Sequence, residues 1–207
     1  MNANIFIVGA SGHAKVVIAT AEAAGVNVAG IFDDDDAKNG ALLLGYRVVS
    51  PVPDVSWFSH EGVPIHIAIG DNDTRKRVAA RLNVRCQSLV HPSAVVHSSA
   101  KIGAGALVCA QAVVHPDSEI GAHAIVNTSA VIEHDCRVGE FAHLGPRSCL
   151  TGGARAGTGA FLGAGVVVLP NVSIGNWSIA GAGAVVISDV RNGARVAGVP
   201  ARDLRDA

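Results

Sequence analysis

The chain has 207 residues, 49% hydrophobic and 16% charged, with a formal net charge of −1. This is the composition of a folded chain of one or two domains rather than a disordered one, and so small a charge argues against nucleic acid as a partner. Aromatics make up only 4% against 24 glycines, so the core must be built from small and branched side chains packed in a regular way.

The opening MNANIFIVGASGH has no basic region followed by a long apolar stretch, so no secretory signal is expected. No apolar run reaches membrane-spanning length, and no membrane insertion is expected. Cys86, Cys109, Cys136 and Cys149 form no CxxC pair and read as free thiols of a cytoplasmic protein. In chain order, NIFIVGA reads as a buried strand, GASGH as a turn, and AKVVIATAEAAG as a helix stopped at Gly25. VNVAGIFDDDD is a second strand ending in acids, YRVVSP a short third, VPIHIAIGDN a further buried strand, and DTRKRVAARL a helix. Strands alternating with helices predict a small Rossmann-like α/β domain with a parallel sheet over residues 1–85.

Residues 86–207 follow a different rule. Every sixth residue from Val90 to Val186 is Val, Ile or Leu, except Ala156 and Ala180. The residue two places before each, from Ala94 to Ala184, is always Ala, Ser, Cys or Val. A period of six suits neither a helix nor an ordinary strand. It predicts short strands joined by sharp turns, wound as a triangular solenoid in which residues 18 apart stack at sheet spacing, about 4.8 Å. Glycine often follows the large residue, as at Gly103 and Gly163, and is expected to relieve strained backbone at the corners.

Two groups of residues stand outside these frames. Gly9, Ser11, Gly12 and His13 follow the first strand and open the first helix, where backbone N–H groups favour an anion. Asp33 and Asp34, some 20 residues on, end the second strand, where dinucleotide folds place an acid on a ribose hydroxyl. The loop lacks the third glycine of GxGxxG, so a nucleotide site and a tight turn beside a solvated acidic run both remain open. Gly70, in AIGDN, would lie at the same carboxyl edge of the sheet. In the solenoid, NTSAVIEHDC places His134 two residues after inward Ile132, pointing outward between Glu133 and Asp135, which would raise its basicity. The residue 18 further on is Gly152, so the coil above offers only backbone there. A solvated corner histidine is the competing reading. His143 lies half a coil away on an adjoining face, so neighbouring subunits could share a site. His91 and His97 read as corner residues and His115, stacked under Glu133, as part of a ladder. No histidine pair has the HxxxxH spacing with which γ-type carbonic anhydrases hold zinc, and no metal is expected.

The hexapeptide frame resembles that of the hexapeptide-repeat acyltransferases, which implies a left-handed parallel β-helix after the α/β domain. GASGHA, IFDD, AIGDN, NTSAVIEHDC, FAHLG, GVVVLPNVSIG and AGVPAR follow in order over essentially the whole chain. Together they are similar to the bacterial nucleotide-aminosugar N-acetyltransferases, the group that includes the bacillosamine and perosamine enzymes and has sialic-acid O-acetyltransferases as close relatives. The resemblance implies acetyl-CoA as co-substrate and a nucleotide aminosugar, preferably a UDP-4-amino-4,6-dideoxy sugar, as acceptor. It implies His134 as general base, Asp135 as the acid that tunes it, and direct attack without an acyl-enzyme. His143, the Gly152 N–H, Ala164 and Ala182 would meet acetyl-CoA; Gly12, His13, Asp33, Asp34, Gly70 and Asn127 would meet the nucleotide sugar. It further implies a homotrimer with active sites between subunits. GDP-perosamine-type N-acetylation, sialic-acid-type O-acetylation and a non-catalytic nucleotide-sugar-binding trimer are the alternatives.

Overall fold

The computed structural model describes residues 4–205. β1 (Asn4–Val8) is apolar and buried after its first residue, as a central parallel strand must be. It pairs in parallel with β2 (Asn27–Phe32) on one side and β5 (Ile65–Ile67) on the other. β4 (Tyr46–Val49) extends the sheet beyond β2, and β3 (Leu42–Leu43) closes that edge as an antiparallel hairpin with β4. The order β3-β4-β2-β1-β5 is the small open sheet expected, with one addition. The β3–β4 hairpin turns through Leu44 and Gly45 at φ 50° and 86°, and a leucine at the first of these positions hides the turn from sequence inspection.

α1 (Gly12–Ala23) buries Ala14, Val17, Ile18 and Ala21, a single helical stripe. α3 (Asn72–Leu82) starts where the Asp71 carboxylate accepts from Thr74 N at 2.8 Å and ends at Asn83 in the left-handed region. Between them lies α2 (Val55–Glu61), which the sequence reading did not assign. Asp54 caps it by accepting from Trp57 N at 2.9 Å, and Gly62 ends it.

From Leu89 the chain forms two-residue strands, each ending on a position of the six-residue frame, from Leu89–Val90 to Val185–Val186. Partners are 18 residues apart, as in Val113↔Val131↔Cys149↔Val167, and three parallel sheets stack around a prism. The prism is filled by the frame residues and the small residues two places before them. The frame ends where it was read to end. Beyond Val186 the last coil is two residues short, so that Val190 pairs with Ile174 and Val196 with Ala180, and a hairpin of Arg195–Gly198 with Ala201–Asp203 covers the top.

The corners carry a correction. The glycines after the large residues do not take the left-handed conformation; they admit the neighbouring coil. A Cβ on Gly121 would lie 2.5 Å from Glu140 N, and one on Gly103 would lie 2.6 Å from Ala122 N. The left-handed position falls two residues later and is often not glycine, as at Gln111, Asp117, His123, Ser129, Asp135 and Phe141.

α1 lies against one solenoid face, where Leu107, Cys109 and Ile125 join Ala14, Val17 and Ile18 in a shared core. That contact fixes the mouth of the small sheet against the solenoid wall.

Candidate active site

At the carboxyl edge of the small sheet, a cavity of about 400 Å³ is lined by Ser11, His13, Asp33, Asp34, Lys38 and Gly70, among others. Gly9, at φ 107°, opens it: a Cβ there would meet Ile69 at 2.9 Å. Gly12 begins α1 in open space, so no steric demand fixes that glycine. Asp33 is already engaged. Its carboxylate accepts from Ala10 N at 2.7 Å, Asp35 N at 2.9 Å and Lys38 Nζ at 2.9 Å. Burial opposes its charge, but these three donors prevail and lower its pKa. Asp34 instead pairs with Arg81 at 2.7 Å on the rim. Lys38 also donates to Ser11 Oγ at 3.0 Å and brings a cation to the turn, a contribution sequence reading missed. His13 is half-buried, its Nε2 has no hydrogen-bond partner among the described residues, and burial pushes its pKa down to about 4, with Arg75 adding to the effect.

His134 stands on a solenoid corner with its ring outward and exposed. Its Nδ1 lies 2.8 Å from the Asp135 carboxylate. The carboxylate can only accept, so Nδ1 carries the proton and Nε2 holds the lone pair. The hydrogen bond to Asp135 is the main cause of a raised pKa, reinforced by the charges of Asp135 and Glu133. Asp135 occupies the left-handed corner position at φ 61°, which turns its carboxylate back onto the ring. A Cβ built on Gly152 would stand 2.7 Å from His134 Nε2, so only glycine leaves that nitrogen accessible. The Gly152 N–H has no hydrogen-bond partner among the described residues. The sequence-level stacking of Gly152 over His134 is therefore the arrangement in space.

His143 sits on the face under the small sheet, 9% exposed. Its Nδ1 is 3.2 Å from the Gly70 carbonyl and its Nε2 is 3.0 Å from Asn127 Nδ2. The carbonyl requires a proton on Nδ1, so Nε2 accepts from the amide, which fixes the Asn127 orientation. Burial, with Arg75 nearby, lowers the His143 pKa to about 4. His143 and Gly70 also border a second groove of about 520 Å³ with Phe161 and Trp177. His13 and His143 have ring centroids 6.0 Å apart, so the two grooves meet at the histidine pair.

The other assignments separate. His13, Asp33, Asp34, Gly70, His143 and Asn127 gather around the sheet edge and the adjoining face. His134, Asp135 and Gly152 occupy one corner of the solenoid. Ala164 and Ala182, 18 residues apart and exposed, lie at a different corner, following Leu162-Gly163 and Ala180-Gly181. His91 and His97 cap turns through Ser93 and Ser99, and His115 lies 3.7 Å from Glu133, as read. Cys136 packs in the prism, whereas Cys149 faces outward in a valine column. Among the described residues, no cluster of three or more His, Cys, Asp or Glu could hold a metal ion. Arg75 and Asn72, buried between α3 and the solenoid, were missed. Arg75 sits in the basic run TRKR of the segment DTRKRVAARL, which reads only as a helix.

Residues 4–82 match the family described as the PglD N-terminal domain. Over the full length, the chain is 41% identical to PerB from Caulobacter crescentus, solved in complex with CoA and GDP-perosamine, with a TM-score of 0.90 across 97% of this chain and 96% of that one. The chain belongs to the bacterial nucleotide-aminosugar N-acetyltransferases. As a member of this hexapeptide-repeat family it is an acetyl-CoA-dependent acetyltransferase, and its solenoid is the left-handed parallel β-helix. The acetyltransferase domain of PglB from Neisseria gonorrhoeae, solved with acetyl coenzyme A, is 35% identical over 99% of this chain and all of that one, with a TM-score of 0.88. UDP-N-acetylbacillosamine N-acetyltransferase of Bacillus subtilis is 37% identical over 119 residues, 52% of this chain. The matched segment spans 51% of that curated relative.

Proposed function

We propose that the chain transfers the acetyl group of acetyl-CoA to the amino group of a nucleoside-diphosphate-linked 4-amino-4,6-dideoxy sugar, with His134 as general base. The observation that carries this reading is the His134 corner. A histidine whose Nδ1–H is held by Asp135 presents an Nε2 lone pair beneath a bare glycine whose backbone N–H has no partner among the described residues.

The amine nitrogen attacks the thioester carbonyl and the C–N bond forms. Negative charge develops on the carbonyl oxygen, where the Gly152 N–H is available to donate. The proton leaving nitrogen goes to His134 Nε2, and the C–S bond then breaks. His134 returns the proton to the departing sulfur, which leaves as the CoA thiol. No acyl-enzyme is needed, and burial raises the Cys136 thiol to about 11, well away from a reactive thiolate.

The nucleotide sugar occupies the cavity lined by His13, Asp33, Asp34 and Gly70, beside Gly12 at the start of α1, with His143 and Asn127 beyond its lining on the solenoid face. Acetyl-CoA runs along His143, Gly152, Ala164 and Ala182. These residues occupy separate faces and corners of one chain, which supports a trimer in which one subunit's His134 corner closes on its neighbour's sugar pocket. An outward column of Val95, Val113, Val131, Cys149, Val167 and Val185 lies on one solenoid sheet, an apolar face fit for such packing. Among the described residues no helix is long and apolar enough to cross a membrane. The four free thiols and the use of acetyl-CoA support work in the cytoplasm.

A UDP-linked acceptor is the reading from the sequence. A GDP-linked acceptor is favoured by the full-length likeness to the C. crescentus enzyme solved with GDP-perosamine. Thiol release from acetyl-CoA against UDP-, GDP- and dTDP-linked 4-amino sugars, with hydroxyl-bearing sialic-acid acceptors alongside, distinguishes them. Turnover on a nucleotide 4-amino sugar supports the proposal; turnover on hydroxyl acceptors alone, or binding without turnover, overturns it.

A further inference from the structure

Arg75 is a charged side chain only 1% exposed, yet among the described residues no carboxylate is hydrogen-bonded to it. Its guanidinium instead gathers carbonyl oxygens. Nε donates to His123 O at 2.9 Å, Nη1 to Ile69 O at 2.8 Å and Gly70 O at 3.1 Å, and Nη2 to Phe141 O at 2.8 Å and Asn72 Oδ1 at 2.8 Å. His123 and Phe141 are 18 residues apart, at the same corner of successive coils. Asn72 Nδ2 extends the grip to the next coil, at Gly159 O, 3.1 Å away. Burying an unpaired cation is costly, and a stable domain contact could be made more cheaply by apolar side chains. What an arginine adds is a planar fork of five donors with fixed directions.

One of those directions bears on the site. The Gly70 carbonyl that Nη1 holds also accepts from His143 Nδ1 at 3.2 Å. We propose that Arg75 is a positioning residue for acetyl transfer: it fixes the Gly70 carbonyl and so holds the His143 imidazole in its neutral Nδ1–H form with Nε2 as acceptor. This rests on the acetyltransferase reading of the same site. The charged and titratable groups around His143 are His13 from α1, Arg75 from α3, and Asp71 and Asp73 at the start of α3, which border the same groove. The carboxylates would favour a protonated imidazole, and the guanidinium opposes it. A neutral His143 keeps the Asn127 amide in one orientation at the place where the acetyl group and sugar nitrogen must meet. Displacing such a contact by an ångström costs up to about 100-fold in rate.

The test uses the full chain with Arg75→Lys and Arg75→Met. Nitrogen-15 NMR of labelled histidine, with His143→Gln assigning the signal, reports the His143 tautomer from pH 5 to 8. In the wild type, His143 should read as the neutral Nδ1–H form throughout. In Arg75→Met, the signal should become a tautomer mixture that titrates nearer the ordinary histidine value, and kcat should fall roughly 10- to 100-fold with KM for the sugar within about threefold. Arg75→Lys, with three donors, should recover part of the kcat and of the tautomer preference. If Arg75→Met does not fold, Asn72→Ala, which removes one of the two Nη2 acceptors, is read in the same way. An unchanged His143 tautomer and titration in a folded variant overturns the proposal, as does a rate loss that only follows loss of folded protein. If the wild type turns over no nucleotide aminosugar, the functional reading fails, while the His143 spectrum still decides the positioning role.

Discussion

His134 is defined by what its neighbours leave uncovered. Replacing it with alanine should lower kcat about 10²- to 10⁴-fold, the usual contribution of a general base, with little change in binding of either substrate. Gly152→Ala is the more selective experiment, because it leaves the base in place and puts a methyl 2.7 Å from its Nε2. The ring must swing away, and steady-state assays should show kcat reduced at least about tenfold in a protein that melts near the wild-type temperature. Asp135→Asn should move the acid limb of the kcat/KM profile to lower pH. The hydrogen bond to Asp135 is the largest cause of the raised His134 pKa, so losing it lets the base stay neutral in more acidic solution, but as a weaker base. An unmoved acid limb would separate His134 from the observed titration. The outward corner place of His134 was legible in the sequence because the repeat accounts for Ile132 and Cys136 and leaves His134 over. Arg75 was not, because burial of one of the four basic residues of α3 depends on a docking geometry that no local pattern encodes.

At the scale of elements, the solenoid was read almost residue by residue, since each coil imposes the same steric demands on the next. The frame gave the strands, the inward residues and the last regular position, Val186. It misassigned the reason for the glycines, because close approach and left-handed backbone are distinct demands that both select glycine. Alanine substitutions separate them. Gly121→Ala places a methyl 2.5 Å from Glu140 N and should cost about 1–3 kcal/mol through displaced backbone. Gly165→Ala meets nothing within 4 Å but must hold φ at 69°, and should cost about 1 kcal/mol. Denaturant melts of both variants check the order, and equal losses would contradict it. The α/β half was less legible in detail. The helix Val55–Glu61 has only two turns, and the Leu42–Leu43 strand exists only through its pairing with β4, so neither leaves a periodic signal.

At the scale of the whole molecule, burial acts on histidines of both the α/β unit and the solenoid. His13, His66 and His143 are each held near a pKa of about 4, chiefly by burial, against 6.5 when unfolded. Below 6.5 the unfolded chain binds protons that the folded chain refuses, so the stability these three groups contribute should be lost as pH drops from 6.5 towards 4. Each group contributes up to roughly 3 kcal/mol to that loss, so melting temperature against pH should drop steeply in this window. A flat profile there would mean the histidines are wetter than their burial indicates. Charged substitution in the valine column, such as Val131→Arg with Val167→Glu, should leave a folded monomer with little activity. Sedimentation and thiol-release assays read both properties. A fully active monomer would remove the shared site, and the separation of the His134 corner from the sugar pocket would need another explanation. The central claim is the base at that corner. The most direct measurement is single-turnover acetyl transfer from acetyl-CoA to nucleotide 4-amino sugars by wild type and His134→Ala. Acetylated amine from the wild type, with a rate about 10²- to 10⁴-fold lower in the variant, is the predicted result. Equal rates in the two proteins, or no acetylated amine from the wild type, would contradict it.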